Sequence, residues 1–129
     1  VEDLKAQGRP VEKEPIEYGK DIIRTVVRYM TESPVVAIAL EGVGAVASVT
    51  RTVGSTEPAS ADIGTIRGDY TIDTFAHATY EDRAVKNLIH QSESVEEAER
   101  ELKIWFTDEE LHEYTTAQER IMYEGIKNA

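Results

Sequence analysis

The sequence predicts an α/β domain in which helices with one apolar face alternate with short buried strands. Pro34–Leu40 is continuously apolar and lies between turn residues, which is typical of a central strand. Leu88 and Ile89 form a second apolar stretch, so 87–90 is the other predicted strand. Segments with apolar residues at helical spacing lie before, between and after these two stretches. This order of elements is expected for helices packed on a sheet.

The clearest helix signal follows the second strand. Ser94 and Glu97 form a capping-box pattern, in which the serine caps the helix and the glutamate lies three residues further on. Apolar side chains then recur on one face, at Val95, Ala98, Leu102 and Trp105. We therefore expect a helix that begins at Val95 and packs by this face.

Spacing predicts two helices upstream. The first covers Ile16–Tyr29. Its side chains expected to face the core are Ile22, Ile23, Val26, Val27 and Met30. The second covers Gly44–Val53 and has Gly54 as its C-terminal stop. The Ser55–Gly64 segment that follows is rich in turn residues and is expected to be a long loop, a kind of segment that is often functional.

The two ends of the chain give weaker signals. Val1–Gln7 has the pattern of a helix tail, and the segment around Gly8 to Pro15 is expected to be a loop. Thr107–Glu110 carries another capping-box pattern and should start a short helix. A last helix is predicted from residue 114 to near residue 125.

Composition limits the classes of function. A chain of 129 residues suits one domain, 1–129. Its net charge of −11 argues against a nucleic-acid surface but not against a nucleotide, whose phosphates a few arginines can hold. It has no cysteine, which excludes a disulfide scaffold and thiol catalysis. No apolar run is long enough to cross a membrane and no signal peptide is visible, so we expect a cytoplasmic protein without a membrane partner.

His90 is the main candidate for chemistry. It lies between a strand end and a helix start, where a ring can be held rigidly and where negative charge is favoured. A lone histidine is more often a structural hydrogen-bonding residue, and that alternative stays open. A hydroxyl at Ser92 and a carboxylate at Glu101 could fix the ring of a nucleophilic histidine. Arg67 adds a guanidinium, which pairs with phosphate through two parallel hydrogen bonds.

Several segments together resemble the nucleoside diphosphate kinase family. They are Tyr29-Met30, Ser33-Pro34-Val35-Val36-Ala37, Gly54-Ser55-Thr56-Glu57-Pro58-Ala59, Gly64-Thr65-Ile66-Arg67-Gly68-Asp69, Asn87-Leu88-Ile89-His90-Gln91-Ser92-Glu93-Ser94, Ala98-Glu99-Arg100-Glu101 and Trp105-Phe106. The segments follow the family's order, and the resemblance covers about residues 20 to 124. It implies a ferredoxin-like antiparallel sheet covered by helices.

The resemblance implies an enzyme that moves the terminal phosphate of a nucleoside triphosphate to a nucleoside diphosphate. The reaction would be ping-pong, through a phosphohistidine on His90, with Glu101 and Ser92 supporting the ring. Mg²⁺ would be bound through the nucleotide phosphates rather than by a protein cage. The family assembles dimers into tetramers or hexamers, so we expect a homo-oligomer, in the first place a hexamer.

The implied nucleotide-binding residues are Ile22, Arg51, Thr56, Arg67 and Asn87. Ile22 lies where the family packs a larger apolar side chain on the base. The family's arginine four residues before the glycine matches Thr50 here, and Arg51 lies about 100° further around the helix. No strong base-reading pattern is present, so purine and pyrimidine nucleotides should both be accepted.

The chain departs from the common form of the family in two places. The segment 70–86 is longer, and its His77, Asp73 and Asp82 match no strong metal motif, so a solvated loop is expected there. A lysine–proline–aspartate motif on the family's first strand is missing before residue 34. We therefore expect these residues to be the C-terminal part of a longer domain, whose first strand, first helix and second strand come from upstream or from another chain. Expressed alone, the segment should have low phosphotransfer activity and poor stability.

Two other classes of protein remain open. One is a catalytically weak, kinase-like regulatory or scaffolding protein. The other is a different histidine-phosphorylated carrier or phosphotransferase. The joint presence of His90, Asn87, Arg67, Thr56 and Glu101 favours the kinase over both.

Overall fold

The computed structural model describes residues 2–6 and 8–123, which form helices joined by irregular segments. The α-helices in this part of the chain are α1 (Glu2–Ala6), α2 (Pro15–Met30), α3 (Ala45–Val53), α4 (Ile66–Tyr70), α5 (Phe75–Tyr80), α6 (Val95–Trp105) and α7 (Ala117–Tyr123). Short 3-10 helices lie at Pro58–Ser60 and Asp108–Glu110. The expected helix end near residue 125 and the helix tail at residues 1 and 7 lie outside the described residues.

The three main helix predictions are confirmed, and local chemistry explains their ends. Pro15 occupies the first turn of α2, where a missing N–H costs nothing. Gly54 ends α3 with a φ of 87°, a conformation that strains other residues. At the start of α6, the Ser94 hydroxyl accepts the Glu97 N–H at 3.1 Å. Glu97 reaches back to the Glu93 N–H rather than to the cap residue, so the capping box is only half formed.

The predicted strands are not confirmed in the described residues, none of which is assigned to a strand. Pro34–Leu40 is exposed along its whole length, and Val36 keeps 86% of its surface accessible. Within the described part, nothing hydrogen-bonds to its backbone. A strand exists only as part of a ladder, so an apolar run without a neighbouring strand stays irregular. The second predicted strand, 87–90, is a tight turn that is described with the site below.

The apolar side of α2 was expected in the core, and this expectation is wrong. No residue of this helix is buried, and Ile22 and Ile23 are 62% and 64% exposed. The chain exposes 10613 Å², whereas a compact monomer of 14.4 kDa would expose roughly 6,800 Å². The surplus and the many exposed aliphatic side chains together indicate apolar surface without a partner in this chain.

The packed centre is small and lies where α4 meets α3 and the 3-10 helix Pro58–Ser60. Val53 is 1% exposed and Arg67 is 4% exposed, so an aliphatic and a charged side chain are buried together. The 70–86 segment, expected to be a solvated loop, contains the end of α4 and all of α5. Thr74 caps α5 by accepting the His77 N–H at 3.0 Å, a signal that the sequence interpretation overlooked.

Candidate active site

Residues 86–90 are fixed by separate hydrogen bonds to several different elements, and not by pairing with a neighbouring strand. The Lys86 N–H donates to the carboxylate of Asp73 at 2.7 Å, and its carbonyl accepts the Thr71 hydroxyl at 3.0 Å. Both backbone polar groups of this residue are therefore fixed by the segment after α4. Asn87 follows directly, and its side-chain amide donates to the Thr56 carbonyl at 3.3 Å.

The next two residues form a strained turn. Leu88 has a φ of 68°, and the Ile89 N–H donates to the Asn87 carbonyl at 2.8 Å, which together define a γ-turn. The Leu88 N–H also donates to the Tyr29 hydroxyl of α2 at 3.3 Å. A positive φ at a leucine costs roughly 1–3 kcal/mol and persists only where surrounding contacts impose it. These contacts therefore fix the direction in which the chain enters His90, the residue after the turn.

His90 is part of a three-residue hydrogen-bond chain. Its Nε2 lies 3.2 Å from both carboxylate oxygens of Glu101, which projects from α6. The Ser92 hydroxyl donates to the same carboxylate at 2.7 Å. This bond is the main cause of a lowered pKa at Glu101, and the His90 ring adds to it. A charged acceptor at Nε2 makes that nitrogen the protonated one and leaves Nδ1 with its lone pair.

Arg67 is buried and donates hydrogen bonds to the backbone next to the His90–Glu101–Ser92 hydrogen-bond chain. Its Nη2 donates to the Ile89 carbonyl at 2.7 Å, and its Nη1 donates to the Gly54 carbonyl at 3.0 Å. Its Nε is buried and has no partner among the described residues. Burial lowers the pKa of this guanidinium. Arg67 thus joins the end of α3 to the residue before His90.

A cavity of about 560 Å³ brings three of the expected nucleotide-binding residues together: Arg51, Thr56 and Arg67. Thr50 also lines it, and its hydroxyl lies 3.0 Å from the Gln91 side-chain oxygen. The Thr50 position and Arg51 thus face the same space, although only Arg51 brings positive charge. Asp62 and Glu93 also line this cavity.

The remaining expected site residues lie away from the lining of this cavity. Asn87 and His90 do not line it, and Ile22 is an exposed residue of α2. His77 lies 3.4 Å from Glu81, one turn further along, and in the described residues no group of three acidic or histidine side chains could hold a metal ion. The sequence interpretation missed four contact residues, namely Tyr29, Thr71, Asp73 and Gln91. Tyr29 and Gln91 lie in segments that resemble the family, but all four residues make these contacts across a long sequence separation, so their roles could not be predicted.

This geometry suits nucleophilic chemistry at Nδ1 of His90. A carboxylate at Nε2 orients the ring and stabilises the positive charge that develops when Nδ1 forms a bond. The side chain of His90 is 58% exposed, so an electrophile can reach it. A rigid, accessible histidine with one nitrogen held by a carboxylate is the arrangement expected of a histidine-dependent transferase.

Comparison with known proteins places the chain in one family. The family model described as nucleoside diphosphate kinase matches residues 16–111. A Pyrobaculum aerophilum protein named nucleoside diphosphate kinase is 50% identical over 100 residues, which are 78% of this chain and 55% of that protein. The chain therefore belongs to the nucleoside diphosphate kinase family.

Two solved structures extend the comparison to the fold. A structure of an NDP kinase from Pyrobaculum aerophilum matches with a TM-score of 0.81 at 44% identity, over 87% of this chain and 64% of that one. A nucleoside-diphosphate kinase from Borrelia burgdorferi, titled a transition-state mimic with bound vanadate and ADP, matches with a TM-score of 0.61 at 36% identity. That second match covers 64% of this chain and 49% of the other. The chain shares the backbone fold of this α/β family, but it spans only about half to two thirds of the length of these relatives.

No described helix combines the length and the apolar character that crossing a membrane requires.

Proposed function

We propose that this protein is a nucleoside diphosphate kinase, which transfers the terminal phosphate of a nucleoside triphosphate to a nucleoside diphosphate. The observation that carries the proposal is the His90–Glu101–Ser92 chain, which leaves Nδ1 of His90 open in a member of this family. The similarity to a kinase solved with vanadate and ADP supports the same reaction class. The alternative of a catalytically weak regulatory protein has no observation in its favour.

The first half-reaction forms a bond from Nδ1 of His90 to the terminal phosphorus. The bond from that phosphorus to the bridging oxygen breaks, and its electron pair leaves with the nucleoside diphosphate. Glu101 accepts the Nε2 hydrogen bond throughout and balances the positive charge that develops on the ring. In the second half-reaction an oxygen of another diphosphate attacks the same phosphorus, and the nitrogen–phosphorus bond breaks. These two steps give ping-pong kinetics.

The nucleotide would be held by the expected binding residues. Arg51 and Thr56 face the cavity and can meet phosphate oxygens, and the buried Arg67 adds positive charge behind them. Asn87 would bind the sugar or phosphate side. Ile22 would give a loose apolar contact to the base, since its side chain is exposed.

Mg²⁺ fits this site as an ion carried by the nucleotide. The described residues offer no group of three ligating side chains for a protein-bound ion. Bound to phosphate oxygens, the ion would lower the charge of the triphosphate. Its contribution is thus electrostatic, while binding and orientation come from the side chains named above.

We further propose that 1–129 is the C-terminal portion of a kinase domain that contains an antiparallel sheet. The exposed Pro34–Leu40 backbone and the exposed apolar side of α2 support this, because a neighbouring strand and a covering layer would satisfy both. A homo-oligomer in the cytoplasm, tetrameric or hexameric, belongs to the same proposal. Light scattering of the protein in its natural length should show an assembly, and a stable monomer at micromolar concentration would contradict it.

A chimera tests the domain proposal. The part of the Pyrobaculum aerophilum relative that this chain does not match is joined to residues 1–129. We expect the chimera to melt cooperatively and to transfer phosphate, and the 129-residue chain alone to do both poorly. Full activity and a cooperative melt of the short chain would refute the proposal.

The kinase proposal is tested by phosphate transfer from labelled ATP to four different nucleoside diphosphates. The protein in its natural length should label all four products, and His90→Ala should label none. His112→Ala is the matched control, because this histidine is exposed and lies outside the hydrogen-bond chain. Nucleotide binding without transfer by the unaltered protein would favour the regulatory alternative instead.

A further inference from the structure

The longer 70–86 segment contains a nearly buried ion pair. The carboxylate of Asp73 is 9% exposed and the guanidinium side chain of Arg83 is 20% exposed. Arg83 binds both oxygens of Asp73 through its two terminal nitrogens, in the bidentate geometry that fixes both planes. The same carboxylate accepts the N–H groups of Thr74, at 3.0 Å, and Lys86, at 2.7 Å. Every lone-pair direction of this carboxylate is therefore in use.

This ion pair acts on the residue that precedes Asn87. Asp73 holds the Lys86 N–H while Thr71, two residues earlier, donates its hydroxyl to the Lys86 carbonyl at 3.0 Å. Arg83 also donates to the Ala84 carbonyl at 3.0 Å, which fixes the approach of the chain to Lys86. The direction in which Asn87 leaves this segment is thus set by Thr71, Asp73 and Arg83, which we call the 71–83 clamp.

The 71–83 clamp is also joined to the loop that lines the cavity. The Asp73 carbonyl accepts the Ala59 N–H at 3.2 Å, and Glu57 accepts the Phe75 N–H at 2.9 Å. Asn87 donates to the carbonyl of Thr56 in that loop. These hydrogen bonds join the loop that carries Thr56 to the segment and to Asn87, and none of them involves the Asp73–Arg83 ion pair.

We propose that Asp73 and Arg83 are positioning residues, which hold the Lys86 peptide so that Asn87 meets the nucleotide. This inference rests on the kinase proposal and assigns a role to the longer segment. Asn87 begins the strained γ-turn, so a small rotation at Lys86 changes the direction of its side chain. Neither residue of the ion pair touches the nucleotide, and both act through Asn87.

A double-mutant cycle separates positioning from general stability. In the protein in its natural length, Asp73→Asn and Arg83→Ala should each raise the KM for the nucleoside diphosphate by about 10- to 100-fold, the cost of a small misplacement of a binding group. Asn87→Ala should show the same KM-dominated loss. In the Asn87→Ala background the effect of Arg83→Ala should nearly vanish, because two residues that act through one contact are not additive.

Two control variants accompany the cycle. Glu81→Gln removes the exposed partner of Arg83 while the bidentate pair stays, and Arg24→Ala removes a guanidinium from an exposed pair on α2. Both should leave the KM within about twofold, as expected for surface substitutions. A variant that only loses folded protein would show a lower apparent kcat with an unchanged KM, and that result for Arg83→Ala would overturn the proposal.

Amide hydrogen exchange gives a readout that is independent of catalysis. In Asp73→Asn the Lys86 and Leu88 amides should exchange faster, while the Phe106 amide at the end of α6 stays as in the unaltered protein. Unchanged exchange at Lys86 would refute the clamp, and faster exchange at all three would show general destabilisation and refute positioning. Failure of the unaltered protein to transfer phosphate would refute the kinase proposal, whereas additive effects in an active enzyme would refute the clamp alone.

Discussion

Glu101→Gln should slow phosphorylation of His90 with little effect on nucleotide binding. The carboxylate accepts the Ser92 hydroxyl at 2.7 Å and lies 3.2 Å from Nε2 of His90. The amide of glutamine keeps one acceptor oxygen but carries no negative charge, and its NH₂ group repels the Nε2 hydrogen wherever it faces the ring. A hydrogen bond to a charged group contributes about 1.5–3 kcal/mol. At 1.36 kcal/mol for each tenfold change in rate, its loss corresponds to about 10- to 150-fold.

The assay is rapid-quench measurement of His90 phosphorylation in a single turnover at saturating ATP, with the protein in its natural length. Glu99→Gln is the matched control, since this carboxylate is exposed on the same helix. It should change the rate by no more than about twofold. A single-turnover rate in Glu101→Gln equal to that of the control would refute the claim that Glu101 orients the nucleophile.

Three further predictions concern stability and specificity. Gly68→Ala should destabilise by about 1–3 kcal/mol in urea unfolding, because a Cβ would overlap the Asp62 carbonyl; Gly19→Ala, with open space around it, should not destabilise, and equal losses would contradict the packing described here. Arg83 holds the pKa of Asp73 well below its usual value of 3.8, so this carboxylate stabilises the fold above about pH 4, and that contribution is lost as the pH falls below it. The free energy of unfolding should therefore decrease more steeply below pH 4 in the unaltered protein than in Asp73→Asn, and parallel curves would exclude this contribution. Purine and pyrimidine diphosphates should give kcat/KM values within about two or three orders of magnitude of one another, because a single small apolar contact to the base discriminates substrates only weakly. Acceptance of only one base would contradict this prediction.

Local signals made the helices predictable. The aliphatic spacing of α2, the Gly54 stop of α3 and the Ser94 cap of α6 each depend on residues within one or two turns, and each is found in the structure. Thr74 gave a similar signal for α5, which was overlooked because the segment around it is polar and short.

The strands could not be predicted in the same way, because a strand depends on a partner that may lie far along the chain or in another segment. The apolar run Pro34–Leu40 has the composition of a buried strand, yet it is exposed and unpaired in the described structure. The same limit applies to α2, whose apolar side shows amphipathicity but not what covers it. Composition therefore identified the apolar surfaces and could not identify their partners.

The candidate site likewise contains residues that the sequence predicts and long-range contacts that it does not. His90, Ser92 and Glu101 were predicted as a group, and they are joined by hydrogen bonds. The γ-turn at Leu88 and the contacts that impose it could not be predicted, since Tyr29 and Arg67 approach it from 59 and 22 residues away, counted from Leu88 and Ile89. Such long-range contacts leave no periodicity or short motif in the sequence.

Identification of the phosphorylated atom decides whether His90 is the nucleophile. The protein in its natural length is incubated with labelled ATP and Mg²⁺, digested under alkaline conditions and mapped by mass spectrometry and phosphohistidine-isomer analysis. We expect one acid-labile, alkali-stable phosphate on Nδ1 of His90, because Nε2 is held by Glu101. His90→Ala should remove the label and His112→Ala should keep it. Full labelling of His90→Ala, or phosphate on Nε2 of His90 in the unaltered protein, would contradict nucleophilic attack by Nδ1 of His90.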